Sequence, residues 1–414
     1  MSELSAGGLS FPGVQSGKVA DNLAREAVFN LLYRLQIGSL SLHEGGRSWH
    51  FGDPAAEPAE VHVLDPSLYR EVLRGGAIAA GRTYFQGLWT SPSLVNVTRI
   101  FSANMAVLQG MDSKQSLLVR GMLAWSHLLN RNTRRGSKDN ISAHYDLGND
   151  FFQLFLDPTM MYSSAVFERP DMSLEEASIA KLDELCRQLE LTPDDHLLEI
   201  GTGWGGMAIH AARNYGCRVT TTTISREQFE YAVQCVEAQG LSDRVTVLCE
   251  DYRNLEGTYD KLVSIEMIEA VGHQYYGEYF RTCSGLLREN GKMVIQAITV
   301  PDQRYRQARD SVDFIKRYIF PGGCLPSNAV IADHIARDTD MQVVHLRDIT
   351  LDYAETLAQW RERFLDSLDA VRDQGFGEEF IRMWEYYLCY CEGGFRERII
   401  GTVQMAFAKP GYRD

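Results

Sequence analysis

Leu197-Leu198-Glu199-Ile200-Gly201-Thr202-Gly203-Trp204-Gly205-Gly206 is an apolar run that enters a glycine-rich turn. A helix-like stretch follows, Met207-Ala208-Ile209-His210-Ala211-Ala212. This is how a buried parallel strand delivers a nucleotide-type ligand site at its carboxyl end. Gly201 and Gly203 have no Cβ, so the backbone there can turn tightly and come close to a ligand. The amides that open the next helix face the same place. Taken alone, the loop suits NAD, FAD, S-adenosylmethionine or an ordinary turn. Its spacing is G-T-G-W-G-G rather than the G-x-G-x-x-G of a dinucleotide site. It also begins near position 200 rather than near the start of the chain. Both features favour S-adenosylmethionine.

Outward from this stretch, strands and helices alternate. Strands are expected at 217–222, 244–249, 261–265 and 292–298, and helices at 204–214, 226–238 and 274–288. Ser225 caps the second of these helices. Upstream, Ser173 caps a helix that runs to about Leu189, with Glu175 and Glu176 in its first turn. Alternation at this spacing predicts an α/β, doubly wound, mostly parallel sheet. Strands near 342–346 and 402–408 close it at seven. The segment of about 301–370 departs from the pattern. It holds an aromatic helix (Phe314 to Phe320) and Pro321-Gly322-Gly323-Cys324-Leu325-Pro326-Ser327, and reads as an insertion that carries substrate specificity.

The first part of the chain is different. Residues 1–20, rich in Gly and Ser, read as a flexible lead-in. Apolar residues at helical spacing follow from Asn22 to Leu35. Strand-like sequence then runs from Ile37 to about Asp65, and a helix from Pro66 to Arg74 ends at Gly75-Gly76. Gly81 to Trp89 is aromatic, either lining an apolar binding surface or closing a small core. Helical patterns resume over 94–129, so 21–130 reads as a small α+β domain. A basic linker over 131–142, with Arg131, Arg134, Arg135 and Lys138, meets anionic head groups or is simply solvated. His144 to Phe152 and Leu156 to Ser164 lack clean periodicity and read as a lid or gate over the domain at 143–414.

Composition narrows the partners. The 414 residues are 45% hydrophobic and 23% charged, an ordinary globular balance for two or three domains. Forty-one Lys and Arg against 55 Asp and Glu leave a net charge of −14, which argues against nucleic acid. No apolar run is long enough to span a membrane. The first residues, Met1 to Ser5, lack the pattern of a signal peptide. The eight cysteines include no C-x-x-C pair, so no metal site is expected, and a reducing, cytoplasmic setting is.

Candidate chemistry lies at the strand ends. The second strand ends in Thr222-Thr223-Ile224-Ser225, without the acid that holds a ribose in most dinucleotide sites. Gln228 can offer an amide. Asp251 can accept from an adenine amine or cap a helix. Glu266 and Glu269, three apart, share a face if helical and can serve as base, anion shell or cation stabiliser. His273 is a possible base, with a structural role favoured.

Several longer motifs then share one resemblance. They are His144-Tyr145-Asp146-Leu147, Phe155-Leu156-Asp157-Pro158, Met161-Tyr162-Ser163-Ser164-Ala165, the opening glycine loop, Glu269-Ala270-Val271-Gly272-His273, Tyr318 to Ser327, and Tyr386 to Cys391. In this order they resemble the cyclopropane-fatty-acyl-phospholipid synthase family, whose relatives modify mycolic acids. The resemblance implies a Rossmann-like class I methyltransferase fold and S-adenosylmethionine as methyl donor. It implies methyl transfer to a cis double bond of a membrane phospholipid's acyl chain, a carbocation, and ring closure by proton loss to a bound bicarbonate. It places Tyr162, Ser163, Gly201, Gly203, Thr223, Ile224, Gln228 and Asp251 around S-adenosylmethionine, with Glu199 and Tyr252 beside them. It places Ser164, Glu269, Tyr353 and Cys391 around the bicarbonate. It further implies peripheral contact with an anionic membrane at the inner face, and a possible homodimer.

Two positions depart from the family. Ser164 stands where many relatives have cysteine, a small change if the backbone amide does the holding. Gln296, in Val294-Ile295-Gln296-Ala297-Ile298, stands where the family has the bicarbonate-binding histidine. Glutamine can hydrogen-bond an anion but cannot carry positive charge. Proton loss can therefore differ, giving a methyl-branched unsaturated chain, a furan-fatty-acid precursor. A small-molecule N-methyltransferase and a non-enzymatic lipid-binding module are the other readings.

Overall fold

The computed structural model describes residues 13–105 and 147–413. The linker at 131–142 and His144 to Asp146 lie outside these residues. The chain divides into two units, Met1–Arg120 and Gly121–Asp414.

In the first unit a helix over Gly13–Leu32 begins inside the stretch expected to be a loose lead-in. Four strands follow: β1 (Ser39–Glu44), β2 (Arg47–Gly52), β3 (Pro58–Val63) and β4 (Trp89–Thr90), in the order β2-β1-β3-β4. Gly45 and Gly46 turn the β1–β2 hairpin with positive φ (55° and 79°), which glycine adopts without steric cost. The helix after β3 runs from Ser67 to Phe85 and is broken only at Gly76. The break expected at Gly75-Gly76 is therefore a kink, and the helix resumes beyond it. Tyr84, Phe85 and Trp89 are buried, with Tyr84 edge-on to Trp89 at 5.0 Å. These aromatics close a small core and do not line an open surface.

The second unit is built on seven strands: β5 (His196–Ile200), β6 (Arg218–Thr223), β7 (Val245–Cys249), β8 (Tyr259–Ile265), β9 (Leu287–Thr299), β10 (Gln342–Asp348) and β11 (Gly401–Ala408). Their order is β10-β11-β9-β8-β5-β6-β7. β5 through β9 pair in parallel, and β11 runs antiparallel between β9 and β10. Two cores sandwich the sheet. Leu198 packs with Phe280, Ile331 and Met405 on one face, and Leu197 packs with Leu185, Ala208 and Val219 on the other. Adjacent leucines fall into different cores because strand side chains alternate. Burial on both faces is why β5 reads as a continuous apolar run. The predicted strands and helices of this sheet appear within a few residues of their expected places.

The excursion expected over 301–370 is in fact two excursions, separated by edge strand β10. The first carries helices Tyr305–Asp310, Phe314–Tyr318 and Asn328–Asp338. The second, between β10 and β11, carries Thr350–Asp366, Leu368–Asp373 and Glu378–Arg396.

Candidate active site

The sheet's order reverses at β5, and the site forms at its carboxyl edge, as expected of an open parallel sheet. Gly201 takes φ 103°, a value that few side-chain-bearing residues adopt. Its N–H and that of Thr202 both donate to the Thr222 carbonyl of β6, each at 3.0 Å. The loop is thereby tied to the neighbouring strand. At Gly206, an added Cβ would sit 2.7 Å from the Thr159 carbonyl oxygen, so the loop fits closely against the chain at 159–161. Next to the loop, the Thr223 hydroxyl donates to the Gln228 side chain at 3.0 Å. Asp251 caps the turn Tyr252–Asn254 and pairs with Arg253, the role the sequence held open beside adenine binding.

The described part of the stretch expected to be a lid packs as a wall. Asp157 accepts from Ser178 at 2.9 Å, and Ser163 accepts from the Lys181 ammonium at 2.9 Å. The Ala165 N–H donates to Thr356 and the Phe167 N–H to Asp352, both on helix Thr350–Asp366. Buried aromatics back this wall. Tyr162 lies between Phe152 (5.1 Å) and Trp360 (5.2 Å), and its hydroxyl meets that of Tyr387 at 2.9 Å. Phe320 packs near both Tyr162 and Tyr387. Such a lining excludes water and offers ring faces to a cation.

Two carboxylates lie just past β8. Glu266 adopts φ 48°, left-handed despite its side chain. Its N–H is held by the Gln296 carbonyl of β9 at 2.7 Å. One carboxylate oxygen accepts from the Ser164 N–H (2.9 Å) and the Gln296 amide (2.8 Å). The other accepts from the Tyr353 hydroxyl at 2.9 Å. Burial raises the Glu266 pKa, while these donors and the Lys181 charge oppose the rise. Glu269 is poorer in donors. One oxygen accepts from the Ile298 N–H, and the other is buried without a partner. Burial, reinforced by the neighbouring Glu266, pushes Glu269 up to about 8. Burial thus raises both carboxyls, and Glu266 has the donors and the counter-charge that Glu269 lacks.

Lys181 lies beneath this pair, fully buried on helix Leu174–Leu189. Burial pushes its pKa down to about 8, against the pull of Glu266, Asp157 and Glu199. Glu199 is buried too and is pushed up to about 8, chiefly by burial. A row of amides supports the other side: Gln188 donates to Gln404 (2.9 Å), and Gln404 donates to Gln296 (3.0 Å). This row fixes the Gln296 amide with its N–H groups toward Glu266 and the Ser164 carbonyl.

The structure therefore gathers the expected residues into two groups. Gly201, Gly203, Thr223, Ile224, Gln228, Asp251 and Tyr252 follow the strands β5, β6 and β7. Ser164, Tyr353 and Gln296 converge on one point, and Glu269 lies beside it. Ser164 contributes its backbone amide, and its hydroxyl turns to the Ala165 carbonyl. Cys391 acts electrostatically on Tyr353, one of the donors at that point. It sits one turn past Tyr387 on helix Glu378–Arg396, its thiol pKa raised by burial. His273 is exposed at the start of a short turn, away from the carboxylates' hydrogen bonds. The residues do not fit a bound bicarbonate, because the donors expected to hold it are engaged by Glu266. Lys181 and Gln404 were missed as site residues, while Glu266 had been read, with Glu269, as a candidate base, anion-shell member or cation stabiliser. The signal for Lys181 was a cation on the apolar stripe Ala177, Leu182, Leu185 and Leu189, all buried.

A family model described as mycolic acid cyclopropane synthetase matches residues 132–405. The chain is 36% identical to tuberculostearic acid methyltransferase UfaA1 of Mycobacterium tuberculosis, over 96% of this chain and 92% of that protein. It is 35% identical to the cyclopropane-fatty-acyl-phospholipid synthase of Escherichia coli, over 85% of this chain and 88% of that one. Among solved structures, mycolic acid cyclopropane synthase CmaA1 complexed with SAH and CTAB matches with a TM-score of 0.62 and 32% identity. That match covers 66% of this chain and 98% of the other.

Proposed function

The chain belongs to the mycolic acid cyclopropane synthetase family of S-adenosylmethionine-dependent lipid methyltransferases, and from that premise we propose that it methylates the cis double bond of unsaturated acyl chains in membrane phospholipids and closes a cyclopropane ring. The observation that carries this reading is the pairing, in one unit, of a glycine loop with an aromatic-backed wall and two carboxylates at the carboxyl edge of the sheet. The residues fit the methyl donor. Gly201 and Gly203 leave room for its amino-acid part, with open space where a Gly203 Cβ would point. Thr223, Ile224, Gln228, Asp251 and Tyr252 follow the strand ends beyond, and Tyr162 and Ser163 of the wall would complete the site. When bound, S-adenosylmethionine supplies an electrophilic methyl on a sulfonium.

The alkene's π electrons form the new bond to that methyl carbon as the carbon–sulfur bond breaks. Positive charge then rests on the other alkene carbon. Tyr162, Phe320, Trp360 and Tyr387 can face it and keep water away. Ring closure requires loss of a proton from the added methyl.

A second reading keeps the first step and ends on a methylated alkene. Gln296 in the histidine's place favours it, as does the relative named for tuberculostearic acid. The first unit is assigned to lipid contact. Leu23, Tyr33, Ile37 and Leu64 are exposed large apolar residues on it. Among the described residues no helix is long and apolar enough to cross a membrane. The unit would dock peripherally from the cytoplasmic side, with homodimerisation compatible with this arrangement.

The purified protein, given S-adenosylmethionine, should release S-adenosylhomocysteine with vesicles of unsaturated anionic phospholipid and not with saturated ones. Equal release with both, or release only with small amines, would overturn the proposal.

A further inference from the structure

We infer that Glu266 replaces the external anion: its carboxylate is the proton acceptor of this enzyme, held by the groups that would otherwise bind bicarbonate. The inference rests on the methyl-transfer reading above and adds the identity of its base.

Geometry carries the argument. The Ser164 N–H, the Gln296 amide and the Tyr353 hydroxyl converge on one carboxylate, at 2.9, 2.8 and 2.9 Å. An anion seated on the same donors would have to displace Glu266, and like charges that close repel strongly. The backbone is committed as well. A non-glycine residue at φ 48° is strained, and strain of this kind persists where the surrounding structure enforces it. Here the Gln296 carbonyl takes the Glu266 N–H at 2.7 Å, so one glutamine holds the residue at both backbone and side chain. Gln404 then fixes which way that amide faces. Glutamine at 296 is thus the complement of glutamate at 266. An amide donates to a carboxylate without a proton of its own to lose.

The step balances within the site. A C–H bond of the transferred methyl breaks, and its electron pair forms the ring's last carbon–carbon bond, quenching the cation. The proton passes to Glu266, leaving a neutral carboxylic acid that returns it to water after the product departs. The Lys181 charge favours the carboxylate form of Glu266, and burial with the neighbouring Glu266 pushes Glu269 up to about 8, toward its neutral form.

The test uses the full chain, Glu266→Gly and Glu266→Gln. Glycine is chosen because it accepts φ 48° without strain. In buffer freed of carbon dioxide, the unaltered protein should turn over at full rate, unaffected by added bicarbonate. Both variants should lose about a hundredfold or more, the usual worth of a positioned acid or base. Added bicarbonate should restore Glu266→Gly and leave Glu266→Gln unchanged, since only the former opens the anion's place. Labelled bicarbonate, followed by NMR, should bind Glu266→Gly and not the unaltered protein. A bicarbonate requirement or bicarbonate binding in the unaltered protein would overturn the inference. So would full activity of Glu266→Gly without added anion. The binding measurement needs no turnover, so failure of the lipid reading would show as absent methyl transfer while this readout still decides the role of Glu266.

Discussion

Lys181→Met should lower the stability of the second unit by about 3 kcal/mol and remove most of its turnover. Lys181 is fully buried, and its ammonium donates to Ser163 at 2.9 Å. Its charge also acts on Glu266, lowering that carboxyl's pKa against the rise that burial causes. Methionine matches the length of the side chain and fills the space. What is lost is the counter-charge, and a buried carboxylate without one is costly. Ser163 also loses its donor, in the wall proposed to face the methyl donor. Chemical denaturation measures the stability, and the methyl-transfer assay measures the turnover. If charge is the cause, adding Glu266→Gln to Lys181→Met should recover much of the lost stability, because the two side chains are coupled. Equal midpoints for Lys181→Met and the unaltered protein would show that the ammonium does not balance the site.

Gly201→Val should abolish useful binding of S-adenosylmethionine while leaving the sheet folded. At φ 103° a β-branched residue is strained by about 1–3 kcal/mol or more. Its Cβ would reach the Met267 side chain at 3.4 Å, so the branch must extend into the cradle. Strain and obstruction together should raise the dissociation constant about a hundredfold or more, since each 1.4 kcal/mol is about tenfold. Calorimetric titration reads the affinity, and circular dichroism checks that the fold survives. Unchanged affinity would mean that the methyl donor lies elsewhere.

Most of the sheet was legible because it follows local rules. Leu197-Leu198 is buried on both faces and needs no partner information to read as a central strand. Ser173 and Glu176 form a capping box, and Ser225 caps its helix through the Gln228 N–H. Gly76 was legible as a break but not as a kink, because resumption of the helix depends on packing by Tyr84 and Phe85. The glycine loop was legible because it is one contiguous stretch.

The charge centre was harder to read, for physical reasons. Ser164, Glu266, Gln296 and Tyr353 come from the wall, the end of β8, the middle of β9 and a helix of the second excursion. Nothing local tells a sequence reader that their polar atoms meet. The substitution of glutamine at 296 was visible, but its meaning was not, because the compensating carboxylate comes from another strand. The Glu266–Glu269 spacing suggested a shared helical face. The left-handed turn at Glu266 instead separates the two chemically, one rich in donors and the other poor.

The fate of the transferred methyl decides whether the protein cyclopropanates lipid. Cells expressing the protein would be fed methionine whose methyl group is fully deuterated, and their phospholipid acyl chains analysed by mass spectrometry and NMR. The expected chains have lost the alkene, retain two of the three deuterons and show high-field ring protons. Acyl chains that gain no label, with the deuterated methyl found instead on nitrogen of a small molecule, would contradict it.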